Sequence, residues 1–508
     1  MLVSLLCNHG LVLNNVSIDY KSLNENDLRR MFGDLGYRFK KPPRKHQLVS
    51  LAFALDEGRK RVQYFHDIGT GKTVSALYTT QVWDSRRILV VCPSSAFWAW
   101  EHDTADFTDY SISTLSGSFD EKIDMLCQMN KIYVINYEGL KTLYADKHKR
   151  VTDRHGDIMV DGGWYINPTY FDDMFDTIIF DEVHRCKNKD AVQTNICYQL
   201  SRVATHAIGL SGTPVSASYQ DLYSEFLVVD LGKALGNNYY AFRNRYFEGR
   251  DHSILKSNAE ETILNKIAPM CLSYDISECC DLPPKSLPIR RIVVPSREQH
   301  QLLHMVYNDL KHEFNEGTLS IQNVTHKSAK ARQIACGFIY LRDDDEKSVR
   351  YLKSNPKIRA LEDIIDECRT KIVIFHKLES EAIVIEDMCA RKGIQFSAIR
   401  GSVDKNDRKH EYSKFVTNDN VKLMIAQYEC ASESYDMSCS YVCVFFSPVA
   451  SPRLRSQAEG RIYRSGQTRP VLFIDIVMKG STDDIVLEHK QDRHKMLAGL
   501  LSYIGGYH

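Results

Sequence analysis

The chain has 508 residues, too many for one compact core and suited to two or three domains. Hydrophobic residues make up 43% and charged ones 26%, and lysine plus arginine equals aspartate plus glutamate at 65 each. That balance excludes a global basic field, so a nucleic-acid partner has to meet local patches, and no apolar run approaches the roughly 20 residues that would span a bilayer.

The 14 cysteines are scattered without a CxxC pair. Cys279-Cys280 and Cys439/Cys443 have no partners at zinc-finger spacing, so reduced thiols in a cytoplasmic protein are expected and a zinc site is not. Residues 1–7 are apolar but lack a basic leader and a small-residue cleavage site, and read as a strand rather than a signal peptide. Residues 25–35 read as a helix, and residues 1–40 together as a small accessory element. Lys40-Lys41-Pro42-Pro43-Arg44-Lys45-His46-Gln47 then forms a basic, proline-stiffened entry into an apolar helix over 48–55. Those cations read as a solvated charge run. Gln47 either belongs to that run or reads an adenine edge with its amide.

The stretch Tyr64-Phe65-His66-Asp67-Ile68-Gly69-Thr70-Gly71-Lys72-Thr73 organises the rest of the chain. Its Gly69, Thr70, Gly71, Lys72 and Thr73 read as a loop whose backbone N–H groups wrap phosphate oxygens, with the ammonium on the outer phosphates and the threonine hydroxyl on Mg²⁺. The full pattern has a glycine five residues before Gly71, where this chain has His66. Residues 63–65 end a strand and 74–82 continue as a helix, so the loop lies where a helix N-terminus faces an anion.

Residues 87–93 form a buried strand, followed by Ser94-Ser95 and the aromatics Phe97, Trp98 and Trp100, which read as core or as base-stacking groups. Residues 131–136 form another strand, ending at Tyr137-Glu138. Residues 144–170 form a polar insertion. The apolar run 177–180 meets Asp181-Glu182-Val183-His184, which is either a strand-end turn or a pair of carboxylates for Mg²⁺ chemistry. In the second reading Asp181 holds the metal through water and Glu182 polarises the attacking water. A further strand, 207–210, ends at Ser211-Gly212-Thr213-Pro214. Strand, polar tip and helix thus recur four times, the pattern of a parallel sheet with its site at the carboxyl strand ends.

Residues 235–330 lose that rhythm and read as a helical insertion and linker, crossed at Asp281-Leu282-Pro283-Pro284-Lys285. The alternation returns with strand 372–375, helix 379–391, strand 396–399, helix 405–415 and strands 423–426 and 442–446. The expected organisation is an accessory element (1–40), a nucleotide-binding lobe (41–234), the insertion (235–330) and a second lobe with a C-terminal helix (331–508). Two like lobes, one with the phosphate loop and one without, suggest a nucleotide clamped between them. Gln457-Ala458-Glu459-Gly460-Arg461-Ile462-Tyr463-Arg464-Ser465-Gly466-Gln467 then offers Arg461 and Arg464 three residues apart, on one face if the stretch is helical, either as a solvated basic helix end or as guanidinium groups for the γ-phosphate.

In this order HDIGTGKT, PSSAFWAWE, INYE, DEVH, SGTP, DLPPK and QAEGRIYRSGQ resemble superfamily 2 helicases, and within them the Swi/Snf-like double-stranded DNA translocases. The match runs from about Arg44 to Gln467. The resemblance implies an α/β fold of two tandem RecA-like parallel-sheet lobes, with ATP and Mg²⁺ as cofactors. It also implies a duplex or branched DNA partner held by backbone contacts, no membrane, and a monomer. By position it assigns adenine reading to Gln47, phosphate binding to Gly69–Thr73, and metal and water activation to Asp181 and Glu182. It assigns coupling to His184, Ser211, Gly212 and Thr213, the arginine fingers to Arg461 and Arg464 with Gln457 beside them, and DNA contact to Ser95, Tyr137, Arg400, Gly401 and Ser434. The chain departs from the family at Ala450-Ser451, where Trp-Asn is usual, at Ser434, where glycine is usual, and at Gly460, where the Swi/Snf branch has aspartate. The expected activity is ATP-driven movement on branched or forked DNA by a compact phage, viral or bacterial enzyme. The alternatives are a motor acting on transcription complexes and an ATP-gated DNA-binding switch.

Overall fold

The computed structural model describes residues 20–487 apart from 147–149, 154–155, 160–164, 167–173, 216–217, 250–253, 280, 316–320, 344–345, 431–434, 450 and 485. The strand expected over 1–7, Ser434 and Ala450 lie outside the described residues. Two compact units divide after residue 280.

The first unit is built on strands β1 (Arg61–Tyr64), β2 (Ile88–Cys92), β3 (Ile112–Thr114), β4 (Ile132–Asn136), β5 (Thr177–Asp181), β6 (His206–Leu210) and β7 (Cys271–Leu272). They lie in the order β7-β1-β6-β5-β2-β4-β3, with every neighbouring pair parallel. All five residues of β2 are buried, as a parallel strand covered by helices on both faces requires, and its sequence Ile-Leu-Val-Val-Cys does not alternate. Tyr64 pairs with Leu210, and Leu210 with Asp181. The phosphate loop, the Ser211 tip and Glu182 therefore leave the sheet at one edge, from three adjacent strands.

Helix Lys45–Leu55 is buried along almost its whole length and packs on helix Lys72–Val82, which starts in the phosphate loop. Glu25–Asp34 packs on Lys45–Leu55 through Leu28, Met31 and Phe32, and Asn24 caps its start by accepting from the Asn26 N–H. Between residues 144 and 170 the short strands Arg150–Asp153 and Gly156–Met159 pair antiparallel.

The second unit holds β8 (Ile289–Val293), β9 (Ile372–His376), β10 (Phe396–Ile399), β11 (Leu423–Gln427), β12 (Val442–Phe445) and β13 (Leu472–Met478). Their order is β8-β13-β12-β9-β11-β10, again wholly parallel. Helices Arg297–Asn315 and Ile321–Ala335 pack together, and an antiparallel pair, Phe338–Asp343 with Glu346–Tyr351, comes after them. The two parallel sheets with flanking helices are the two tandem RecA-like lobes that the sequence implies.

One local expectation is corrected. Helix Pro452–Glu459 stops at Gly460, so Arg461 and Arg464 stand in successive turns rather than on one face of a helix. Gly460 carries the last helical N–H bonds at φ −69° and ψ −5°, and Gly466 reverses the chain at φ +100°, which strains a side-chain-bearing residue.

Candidate active site

Gly69 and Gly71 both sit in the left-handed region, at φ +87° and +85°, so the loop needs glycine at both places. Gly71 is also the N-cap of helix Lys72–Val82 and offers no side-chain cap, which leaves the first-turn N–H groups facing outward for an anion. The Lys72 ammonium reaches back across the loop and donates to the carbonyls of His66 (2.9 Å) and Asp67 (3.0 Å). Thr70 Oγ1 donates to Asp67 O at 2.8 Å, and His46 Nε2 donates to Thr70 O at 2.9 Å.

His66, which takes the place of the absent glycine, is a packing residue here. Its ring stacks on Tyr64 at 5.2 Å and meets Tyr274 edge-on at 5.4 Å, with Nε2 at 3.1 Å from Ser50 Oγ. Burial pushes its pKa well below the usual histidine range, helped by His46 and Lys72, so a neutral imidazole backs the loop. Gln47 accepts the Arg44 N–H at 2.9 Å, and its Nε2 lies 3.2 Å from where a Cβ on Gly71 would stand. The glutamine thus lies against the loop it was expected to serve.

Asp181 ends β5 in the middle of the sheet edge. Its Oδ2 accepts the indole N–H of buried Trp100 at 3.0 Å, and its carbonyl accepts the Tyr137 hydroxyl at 2.9 Å. Burial, then the charge of Glu182, raises the Asp181 pKa to about 6 against the opposing pull of Trp100 and Lys72. A carboxylate so placed is stabilised by a cation. With Thr73 in the first turn of the helix, the donors are oxygens only, the set that suits Mg²⁺.

Glu182 adopts φ 55° and ψ 52°, a left-handed conformation that is costly for a residue with a side chain. The strain swings it off the strand line into the 3-10 turn Val183–Cys186. His184 Nδ1 lies 3.2 Å from Glu182 Oε2 and 3.2 Å from Ser211 Oγ, and Ser211 Oγ accepts the Thr213 N–H at 3.1 Å. A Cβ on Gly212 would stand 3.2 Å from Ile68 Cγ1 and 3.4 Å from Lys72 Nζ. The structure therefore gathers Gln47, the phosphate loop, Asp181, Glu182, His184 and the tip 211–213 at one edge. A continuous polar path runs from Glu182 through His184 to the tip beside Lys72.

Among the residues expected at DNA, Ser95 lies part-exposed in the turn Ser94–Ala96 after β2. The Tyr137 side chain is fully buried and committed to the Asp181 carbonyl, so its ring cannot reach a ligand. In the second unit Arg400 is held by Glu379 and Glu386 at 3.2 Å each, and the Gly401 N–H bonds Gln427 Oε1 at 2.8 Å.

The second unit also fixes the arginine segment. Arg455, fully buried, pairs with Asp475 of β13 and with Glu459 (2.5 Å), and Glu459 also meets Lys285 at 2.8 Å. The Tyr463 hydroxyl donates to Pro283 O at 2.8 Å, so the DLPPK stretch docks on the segment that carries Arg461 and Arg464. Gln457 is buried on the same helix, and Arg464 lies 3.5 Å from Asp436. Sequence reasoning missed Trp100, Lys285, Arg455 and Asp475. The available signal was Asp475, an acid within the apolar strand Leu472–Met478, which cannot be buried without a cationic partner.

A family model described as the SNF2-related domain matches residues 46–337, and one described as the Helicase conserved C-terminal domain matches 356–466. The chain is similar to the SWI/SNF-related matrix-associated actin-dependent regulator of chromatin subfamily A-like protein 1 homolog of Caenorhabditis elegans, 23% identical over 89% of this chain and 61% of that protein. The Drosophila melanogaster protein of that description is 23% identical over 89% of this chain and 55% of its own length. This chain therefore spans little more than half the length of these animal relatives. The putative protein p41 of Acyrthosiphon pisum secondary endosymbiont phage 1 is 24% identical, over 89% of this chain and 96% of that protein. Among solved structures, the Sulfolobus solfataricus SWI2/SNF2 ATPase core in complex with dsDNA aligns at 19% identity and a TM-score of 0.41, covering 92% of this chain and 95% of that one.

Proposed function

The chain belongs to the SNF2-related domain family, and from that membership we propose that it is a DNA-stimulated ATPase, a motor that couples ATP hydrolysis to movement along DNA and acts on branched or forked DNA in replication, recombination or repair. The observation that supports this best is the polar path from Glu182 through His184 to Ser211 and the tip beside Lys72. It gives a change at the triphosphate a route to a second strand end.

Each residue of the site has its own task. The outward N–H groups of 69–73 and the Lys72 ammonium bind the outer phosphates, and the Gln47 amide reads the base. Asp181 and Thr73 would hold Mg²⁺, which would supply charge neutralisation at the phosphates. Trp100 and Tyr137 keep Asp181 at its position. Glu182, aimed off the strand by its backbone, orients the attacking water and accepts its proton. His184 carries the state of Glu182 to the 211–213 tip. Arg461 and Arg464 stabilise the charge of the transition state, with Gln457 beside them. Ser95, Arg400, Gly401 and Ser434 meet phosphates of the DNA track, and contacts of that kind carry little sequence preference.

Branched DNA suits such a motor energetically. Melting a base-pair step costs about 1.4 kcal/mol, whereas moving a branch point exchanges one pair for another at near balance. ATPase activity titrated with single-stranded, duplex, forked and four-way DNA tests the proposal. Stimulation greatest on branched forms supports it, and ATP-dependent unwinding of simple duplex without any branched product would overturn the branched-DNA part. A rate indifferent to all four would favour an ATP-gated binding switch. If the gene is phage-borne, as that of the p41 relative is, the place of action is the host cytoplasm.

A further inference from the structure

On the first unit, the segment that leaves the Glu182 turn runs into a basic and aromatic surface that the motor residues do not use. Residues 187–190 come after the turn Val183–Cys186, and Lys189 there meets helix Tyr239–Tyr246, whose start Asn238 caps by accepting the Ala241 N–H at 3.0 Å. Phe242 and Tyr246 face the core, and Tyr239 packs edge-on against Tyr223 at 5.2 Å and donates to Gln220 Oε1 at 2.9 Å. Tyr240 meets the Tyr239 ring edge-on at 5.9 Å and is 60% exposed.

Cations cluster at that exposed ring. The Lys189 ammonium lies 5.1 Å from the Tyr239 ring and 5.6 Å from that of Tyr240, and the Arg243 guanidinium lies 6.0 and 5.6 Å from the same two rings. The helix, Tyr-Tyr-Ala-Phe-Arg-Asn-Arg-Tyr, has two arginines and no acid. Arg243 Nε is buried without a hydrogen-bond partner among the described residues. The nearest carboxylate to Lys189 is its own neighbour Asp190, at 2.5 Å and largely exposed.

We propose that this surface binds an unpaired DNA strand, with one base stacked on the open side of Tyr240 and the flanking phosphates on Lys189, Arg243 and Arg245. The chemistry selects that occupant. Phosphates alone would need only the cations, and bases within a duplex have both faces covered. A ring that is mostly exposed and has cations 5.6 Å from its centre fits a strand whose bases are free, and stacking on it is indifferent to sequence because every base has a π-face. Lys189 is seven residues beyond Glu182 and three past the end of the turn Val183–Cys186, so a strand seated here holds the segment that follows the catalytic carboxylate. The partner's identity as DNA rests on the function proposed above.

The test compares a blunt duplex with the same duplex bearing a single-stranded arm of about 12 nucleotides, within the site sizes of such surfaces, with 2-aminopurine placed in the arm. Binding and fluorescence are read on the full chain and on Tyr240→Ala, Tyr240→Phe and the double variant Lys189→Gln/Arg243→Gln. Loss of one stacked base predicts that Tyr240→Ala weakens armed DNA about 5- to 100-fold and abolishes the 2-aminopurine quench. Blunt duplex should change less than about twofold, and Tyr240→Phe should behave as wild type. Equal affinity of wild type and Tyr240→Ala for the arm would overturn the site, as would equal losses on both DNAs or competition by polyglutamate as effective as by oligo-dT. Failure of blunt duplex to stimulate the wild-type ATPase would instead fell the motor reading, and the arm measurement would still decide the stacking site.

Discussion

Replacing Glu459 by glutamine tests the ion cluster that ties Lys285 to the arginine segment. Burial alone would raise the Glu459 pKa, but Lys285 at 2.8 Å and Arg455 at 2.5 Å outweigh it and bring the group down from 4.5 to about 2. A carboxylate depressed on folding binds fewer protons in the native state. Its contribution is therefore complete above the unfolded pKa and is lost as pH falls toward the folded one. The fall from 4.5 to about 2 corresponds to roughly 3 kcal/mol at neutral pH, declining to roughly 2 kcal/mol at pH 3.5. For a unit of about 200 residues that is a loss of about 6–12 °C in the melting transition of the second unit. Scanning calorimetry of wild type and Glu459→Gln at pH 7 and at pH 3.5 measures the gap and its narrowing, and other acids titrate alike in both proteins. A gap that is absent at pH 7, or unchanged at pH 3.5, would mean that the Lys285–Glu459–Arg455 cluster does not stabilise the unit.

Three further outcomes concern single residues. Trp100→Phe removes the indole donor from the Asp181 carboxylate, worth about 1.5–3 kcal/mol for a charged acceptor, so kcat/KM for ATP should fall about 10- to 100-fold with the fold kept. Wild-type kinetics would show that the bond is idle. Gly212→Ala places a methyl group 3.2 Å from Ile68 and 3.4 Å from the Lys72 ammonium and should lower kcat about tenfold or more, read in a steady-state assay; an unaffected rate would mean that the tip yields freely. Burial lowers the His376 pKa from 6.5 to about 4. The unfolded chain then binds the extra proton between those values, and stability should rise with pH across that window. Imidazole chemical shifts titrating near 6.5 would contradict this.

Much of the fold was legible because parallel strands buried on both faces read as continuous apolar runs. The runs before Pro93, Asp181 and Ser211 stand out for that reason, and the polar tips mark the sheet edge. Shorter or interrupted strands did not stand out. β7 has two residues and β3 has three. β8 is an exposed edge with Arg290 and Arg291 in it, and β13 carries Asp475 in its middle, tolerable only because Arg455 meets it. At the site, loop glycines and adjacent carboxylates announce themselves by type and spacing. Trp100 does not, since a buried aromatic looks like core until its N–H is seen to need an acceptor. Tyr137 is the converse case, a polar aromatic at a strand end whose hydroxyl turns inward. The end of the helix at Gly460 was written in the sequence, but the spacing of Arg461 and Arg464 concealed it.

On this reading the sheet edge around Lys72, Asp181 and Glu182 hydrolyses ATP in response to DNA. Steady-state ATP hydrolysis by the full chain, with and without duplex DNA, measured for wild type and Glu182→Gln, addresses it most directly. The rate should rise with DNA in wild type, and in Glu182→Gln it should be at least about 100-fold lower while ATP still binds. A wild-type rate unmoved by DNA, or a Glu182→Gln protein that turns over as wild type does, would contradict it.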